Sequence, residues 1–250
     1  MSLLLFYILI FLLSVIQTTA GVGVLVIGTP TLLIMNFNLL EAINILLPIS
    51  IFTSLLNLIY FKSNKKKLKI IDEKNIAEIF FTYCLPGVFV GTILIYYLNP
   101  FFKDFKILIS ALILFSILLK NTYKRSLIEV RDTVKKTFIA VIGALHGLTN
   151  SGGSLLTLFV LSFGKNRNTF SSRYNITLFY FSLGVVQYFF FYLAFYKSEV
   201  ISFNNFSISL IIIFFGCVIG NLISKFIDKK IFNIIIDALA FLAATSLLIF

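Results

Sequence analysis

Apolar residues fill the chain in runs of roughly 20, parted by short polar connections. Eight segments stand out: Leu3–Met35, Leu39–Phe61, Ile76–Leu98, Phe105–Leu119, Thr137–Phe163, Phe170–Tyr196, Phe206–Ser224 and Ile231–Phe250. A helix rises about 1.5 Å per residue, so about 20 residues cross a hydrocarbon core of about 30 Å. Most of the segments have that reach. The first overshoots it: as one helix its 33 residues would run to roughly 50 Å. The pattern predicts an all-α, polytopic membrane protein with no soluble domain.

Two segments are broken by polar and glycine residues where hydrocarbon would surround a helix. Gln17–Gly23 reads Q-T-T-A-G-V-G, and His146–Gly153 reads H-G-L-T-N-S-G-G. Unwound backbone at such a depth persists only when it is buried in protein or lines a watery cavity, because lipid offers its N–H and C=O groups no partner. A pair of interrupted apolar segments in corresponding places is the best pointer in a sequence to a transporter's binding site.

The places do correspond. Shifting the chain by 129 residues lays Gln17 on His146, Gly23 on Gly152, Gly87 on Gly216, Gly91 on Gly220 and Ala111 on Ala240. Gly87-x-x-x-Gly91 and Gly216-x-x-x-Gly220 are small-residue pairs that let helices approach closely. We read two homologous four-segment halves, residues 1–120 and 137–250, joined by a basic linker at 121–136.

Charge changes the picture further. The chain is 59% hydrophobic and only 12% charged, with mean hydropathy +1.02 and a net charge of +11. Nearly all of the basic residues lie in short connections. If each interrupted segment crosses the membrane once, the two sides carry 13 and 8 Lys and Arg residues. If each instead turns back and leaves where it entered, the counts become 18 and 3. The second distribution is what the positive-inside rule expects. It makes the first segment of each half re-entrant or hairpin-like, puts both termini outside and sets the halves in inverted orientations. The same rule accounts for the net charge, so no nucleic-acid partner is expected. The place of the protein is a plasma (inner) membrane, crossed many times. The opening M-S-L-L-L-F-Y has no basic n-region, and the N-terminus is expected to be retained. Cys84 and Cys217 sit far apart in apolar segments and suggest neither a disulfide nor a metal site.

The breaks carry the chemistry. Ends of interrupted helices offer free N–H groups and roughly half a positive charge each. Glycines at 21, 23, 152 and 153 let a ligand reach the backbone. Gln17, Thr18, Thr19, Thr149, Asn150, Ser151 and Ser154 add neutral donors, or else cap the broken helix ends, which the same residue types do well. Such donors would suit a small anion. His146, the one histidine, is either a proton carrier or an imidazole bonded to a carbonyl between helices. Asp237, seven residues past Lys230, is either a second proton carrier or a packing residue. Arg173, Glu41 and Glu78 fall at segment ends, where snorkelling or loop pairing accounts for them, although Arg173 also stands where it would attract anions. No H-E-x-x-H, G-x-S-x-G or P-loop occurs, so no enzyme, cofactor or metal is read here.

These residues resemble the sulfite exporter TauE/SafE family, also called the TSUP family. Gln17 to Gly23, then Pro30, then Glu41-Ala42 leading to Asn57, is similar to the family's opening pattern. Gly147-Leu148-Thr149-Asn150-Ser151-Gly152-Gly153-Ser154 resembles its second glycine-rich motif, with Asn150 in place of a glycine and Ser154-Leu155 in place of two prolines. The resemblance implies a secondary transporter for small, often sulfur-containing anions such as sulfite, thiosulfate or organosulfonates, working by alternating access. A non-transporting membrane scaffold and a passive anion channel are the alternative readings, and a homo-oligomer stays open.

Overall fold

Asn38 and Glu41 cap a long helix reciprocally: the Asn38 N–H donates to the Glu41 carboxylate at 2.8 Å, and the Glu41 N–H to Asn38 Oδ1 at 2.9 Å. Glu41 is therefore a helix-start residue, using the capping box to satisfy two orphan donors. The helix it opens, α3 (Leu39–Ser63), follows α1 (Leu3–Ala20) and α2 (Val24–Ile34). After it come α4 (Lys74–Ile79), a π-helical turn at Phe80–Cys84, α5 (Leu85–Leu98) and α6 (Lys106–Thr122). The rest of the chain forms α7 (Asp132–Thr149), α8 (Gly153–Ser162), α9 (Thr169–Phe195), α10 (Phe203–Phe226) and α11 (Lys229–Ile249). The computed structural model describes residues 3–21, 23–63, 74–98, 105–122, 131–162, 169–195, 203–226 and 229–249, and among these there is no strand. The basic residues at 65, 66, 67, 69, 103, 124, 125, 165, 167 and 197, with the middle of the 121–136 linker, lie outside the described residues.

The helix lengths sort the elements. Among the described residues five helices are long and apolar enough to cross a membrane: Leu3–Ala20, Leu39–Ser63, Ala77–Leu98, Phe170–Leu193 and Ser207–Phe226. At 11 and 10 residues, α2 and α8 reach only about 15 Å, half of a hydrocarbon core. The π turn precedes Pro86, whose missing N–H leaves the Thr82 carbonyl without its helical partner, and a locally widened turn relieves the ring's clash there. Large apolar side chains such as Leu4, Ile59, Leu118 and Phe214 stay exposed on the outer faces, where lipid would cover them.

Inside, α3 packs on α9, α6 on α11, α5 on α7 and α1 on α10. The last two contacts bring backbones together. A Cβ on Gly87 would stand 2.4 Å from the Ala140 carbonyl, and one on Gly91 2.1 Å from the Ala144 carbonyl. From the other side, Gly143 and Gly147 press on the carbonyls of Cys84 and Val88. On α10, Gly216 lies against the Phe11 carbonyl and Gly220 against the Val15 carbonyl. Residues 11 and 15 become 140 and 144 under the 129-residue shift. One seam therefore maps onto the other when the two stretches of chain are exchanged.

Candidate functional site

Helix α1 ends at Ala20 and α2 begins at Val24. The Gly21 N–H closes on the Gln17 carbonyl at 2.6 Å, and Gly21 then takes φ +89°, a conformation that a side chain would strain. Gly23 returns to lie beside the Gln17 backbone: a Cβ there would fall 3.2 Å from the Gln17 nitrogen and 2.8 Å from Ile16 Cγ2. The Gln17 side chain, fully buried, ties the turn down. Its Oε1 accepts the Val24 N–H at 3.3 Å and the Ser50 hydroxyl at 3.2 Å. Its Nε2 donates to the Ser50 carbonyl and to Ser54 Oγ, both at 2.9 Å. Gln17 thus caps the start of α2 and pins the break to α3.

The end of α7 repeats the device. The Asn150 N–H closes on the His146 carbonyl at 2.8 Å, and Asn150 has φ +60°. Asparagine tolerates this left-handed conformation better than other residues with a side chain. Gly152 comes back onto His146, where a Cβ would meet His146 Cβ at 2.6 Å and Cα at 2.9 Å. The hydroxyls here serve the backbone: Thr149 bonds the Leu145 carbonyl, Ser151 the Thr149 carbonyl and Ser154 the Ser151 carbonyl. Asn150 Nδ2 reaches Thr29 Oγ1 at 3.2 Å, linking this break to α2.

Both breaks meet Tyr180 of α9, a residue that the sequence pattern did not single out. Its hydroxyl accepts the Leu25 N–H, in the first turn of α2, at 3.3 Å. Its ring edge lies where a Cβ on Gly153, the first residue of α8, would fall 2.5 Å away. The His146 ring stands against it with centroids 6.0 Å apart. Two helix turns along α9, Gln187 Nε2 donates to the carbonyls of His146 and Gly147 at 3.3 and 3.4 Å. Around this junction both ring nitrogens of His146, Asn150 Oδ1 and Gln187 Oε1 are buried with no protein partner. Tyr180 thus touches Leu25 beyond the first break and His146 and Gly153 at the second, whereas Gly21 packs against Ile176 and the Arg173 carbonyl.

Thr18 and Thr19 face elsewhere, toward α3 and α10. Thr18 Oγ1 accepts from Asn57 Nδ2 at 2.9 Å, and Thr19 Oγ1 bonds the Val15 carbonyl, with the Gly220 carbonyl at 3.4 Å. Arg173 joins this second cluster, donating to the Thr18 carbonyl and to Asn221 Oδ1. It is buried inside the protein and does not snorkel from a helix end, because the broken end of α1 offers it a carbonyl. Ser50, Thr53, Ser54 and Asn57 recur on one face of α3 at helical spacing, a polar stripe in an apolar helix that points to these contacts. Asp237 is half-buried on α11, which packs on α6 and α2.

No curated protein and no solved structure gives a significant match to the chain. A family does: the sulfite exporters called TauE/SafE match it over residues 6–247. With two glycine-rich breaks seated in an apolar helical frame, and nearly its whole length covered by that match, the chain belongs to the sulfite exporter TauE/SafE family.

Proposed function

We propose that this multi-pass membrane protein is a secondary transporter that moves a small sulfur-containing anion (sulfite, thiosulfate or an organosulfonate) across the plasma membrane by alternating access. One observation carries the reading: the first turns of two half-length helices, α2 and α8, converge on the buried Tyr180. Helix starts present N–H groups and partial positive charge, which suit an anion. In this arrangement Gln17 and Tyr180 hold the N–H groups of Val24 and Leu25. An arriving anion competes for these neutral donors, so it is bound loosely enough to be released.

The site we assign comprises Gln17, Thr18, Thr19, Gly21, Gly23, His146, Thr149, Asn150, Ser151, Gly152, Gly153 and Ser154, with His146 and Asp237 as the residues for proton coupling. The halves 1–120 and 137–250 are inverted repeats in this reading, with α1–α2 and α7–α8 as re-entrant hairpins. Two features support it. The bonds at Gln17–Gly21–Gly23 recur at His146–Asn150–Gly152, and the α5–α7 and α10–α1 seams exchange under the same shift. Rocking would take place at those glycine seams.

The test is uptake of labelled sulfite or methanesulfonate by proteoliposomes holding the purified chain. Saturable uptake that responds to an imposed ion gradient is expected. Conductance without coupling would make the protein a channel, and silence toward every oxyanion would leave a scaffold.

A further inference from the structure

Arg173 stands in the second turn of α9, 8% exposed. A guanidinium stays charged in a protein, and a buried charge is costly unless something compensates it. Its partners are all neutral. It donates to the Thr18 carbonyl and, at 3.4 Å, to Asn221 Oδ1, and its carbon lies 5.3 Å over the Phe61 ring. Its Nε has no partner, and among the described residues no carboxylate pairs with it. The Thr18 carbonyl belongs to the last turn of α1 and brings only the partial negative charge of a helix end. A whole positive charge is thus met by fractions of a negative one.

A second observation adjoins it. Between α3 and α10 lies a mostly apolar cavity of about 330 Å³, open on the outer face where Ile59, Phe214, Val218 and Leu222 are exposed, with Asn221 in its wall. Asn221, on that wall, is the acceptor for Arg173. Asn221 Nδ2 donates to Asn57 Oδ1 at 3.2 Å, and Asn57 Nδ2 donates on to Thr18 Oγ1. A polar ladder therefore runs from the cavity wall to the broken end of α1. The 129-residue shift lays Arg173 on Asn44, so the charge exists on one side of the molecule alone.

We propose that Arg173 is the charge-recognising residue of an oxyanion site at the broken end of α1, the guanidinium leaving its neutral acceptors for the anion's oxygens. This rests on the transport reading above and adds to it the source of anion selectivity. The guanidinium edge, with its free Nε, offers two parallel donors to two oxygens, and Asn221 and Asn57 can turn their amides to donate as well. Lys225, one turn along α10 from Asn221, adds positive charge nearby.

The experiment compares the wild-type chain with Arg173→Gln and Arg173→Lys, purified in detergent and melted with increasing sulfite or methanesulfonate, then assayed for uptake in proteoliposomes. Half-saturation by either anion is expected to rise roughly tenfold or more in Arg173→Gln, the worth of a charge-assisted bond. Arg173→Lys is expected to fall between the two, since it keeps the charge and loses the fork. Arg173→Gln that elutes and melts like the wild type without anion, and half-saturates at the wild-type concentration, overturns the proposal. Should Arg173→Gln not fold, Asn221→Ala decides: it leaves the charge in place, severalfold weaker half-saturation supports the site, and an unchanged value overturns it. Wild-type protein that binds but does not carry the anions sinks the transport reading and leaves the Arg173 site standing. Wild-type protein that does neither overturns both.

Discussion

The Tyr180 hydroxyl accepts the Leu25 N–H at 3.3 Å, so a side chain from the middle of α9 completes the first turn of α2. The donor is one of the orphan N–H groups at a helix start, and it is buried. Tyr180→Phe removes the acceptor while keeping the ring against Gly153 and His146. A buried donor left unsatisfied costs about 1–3 kcal/mol. The variant is expected to melt several degrees lower in detergent and to carry anions more slowly, because α2 loses its anchor. A melting curve identical to the wild type would mean that the contact contributes nothing to holding the break.

Asn150 separates backbone from side-chain requirements at the second break. Its left-handed φ is tolerated by glycine at no cost, whereas other side chains pay roughly 1–2 kcal/mol there. Asn150→Gly should keep the fold and lose only the bond to Thr29. Asn150→Leu and Gly152→Leu should abolish uptake while the protein still inserts. In Gly152→Leu the new Cβ would press on His146 Cα, 2.9 Å away, which is backbone and cannot swing aside. Wild-type uptake in either leucine variant would count against the site.

Much of this arrangement was legible before any coordinates. Glycines amid apolar residues mark both breaks, and the fall of Gly87 and Gly91 on Gly216 and Gly220 at one offset locates the two glycine seams. What escaped is what only packing supplies. Tyr180 reads as one aromatic among many in α9, and nothing local reveals that two helix starts converge on it. Arg173 reads as a residue at a helix end facing water, since its segment begins at Phe170. It is buried because α1 stops short at Ala20 and exposes the Thr18 carbonyl to it. The stripe Ser50, Thr53, Ser54, Asn57 on α3 was the one local signal that polar contacts run through an apolar interior.

His146 makes a prediction about pH. Its ring is fully buried, rests on Tyr180 and finds no protein partner for either nitrogen. Coupling of a proton through this ring predicts that uptake depends on pH. His146→Gln, which keeps hydrogen-bonding capacity and cannot take up a proton, should flatten that profile without abolishing uptake. An unchanged profile removes His146 from the coupling and passes the question to Asp237→Asn on α11.

The glycine seams test the proposed symmetry quantitatively. Gly91→Ala places a methyl 2.1 Å from the Ala144 carbonyl, and Gly220→Ala places one 2.7 Å from Thr18 Cβ and 2.8 Å from the Val15 carbonyl. Neither neighbour is the free end of a flexible side chain, so the helices must separate. Overpacking of this kind costs about 1–3 kcal/mol. Gly184→Ala is the control, because its methyl would meet only Ile51 Cγ1, at 3.1 Å, a side chain able to shift by a few tenths of an ångström. Melting in detergent should fall most for Gly91→Ala, less for Gly220→Ala and least for Gly184→Ala. Uptake should slow in the first two alike, since each wedges one of the two seams along which the halves would rock. Equal stability of Gly91→Ala and Gly184→Ala would contradict the close backbone approach. Slowed uptake in only one seam variant would contradict the exchange of the two seams in the transport cycle.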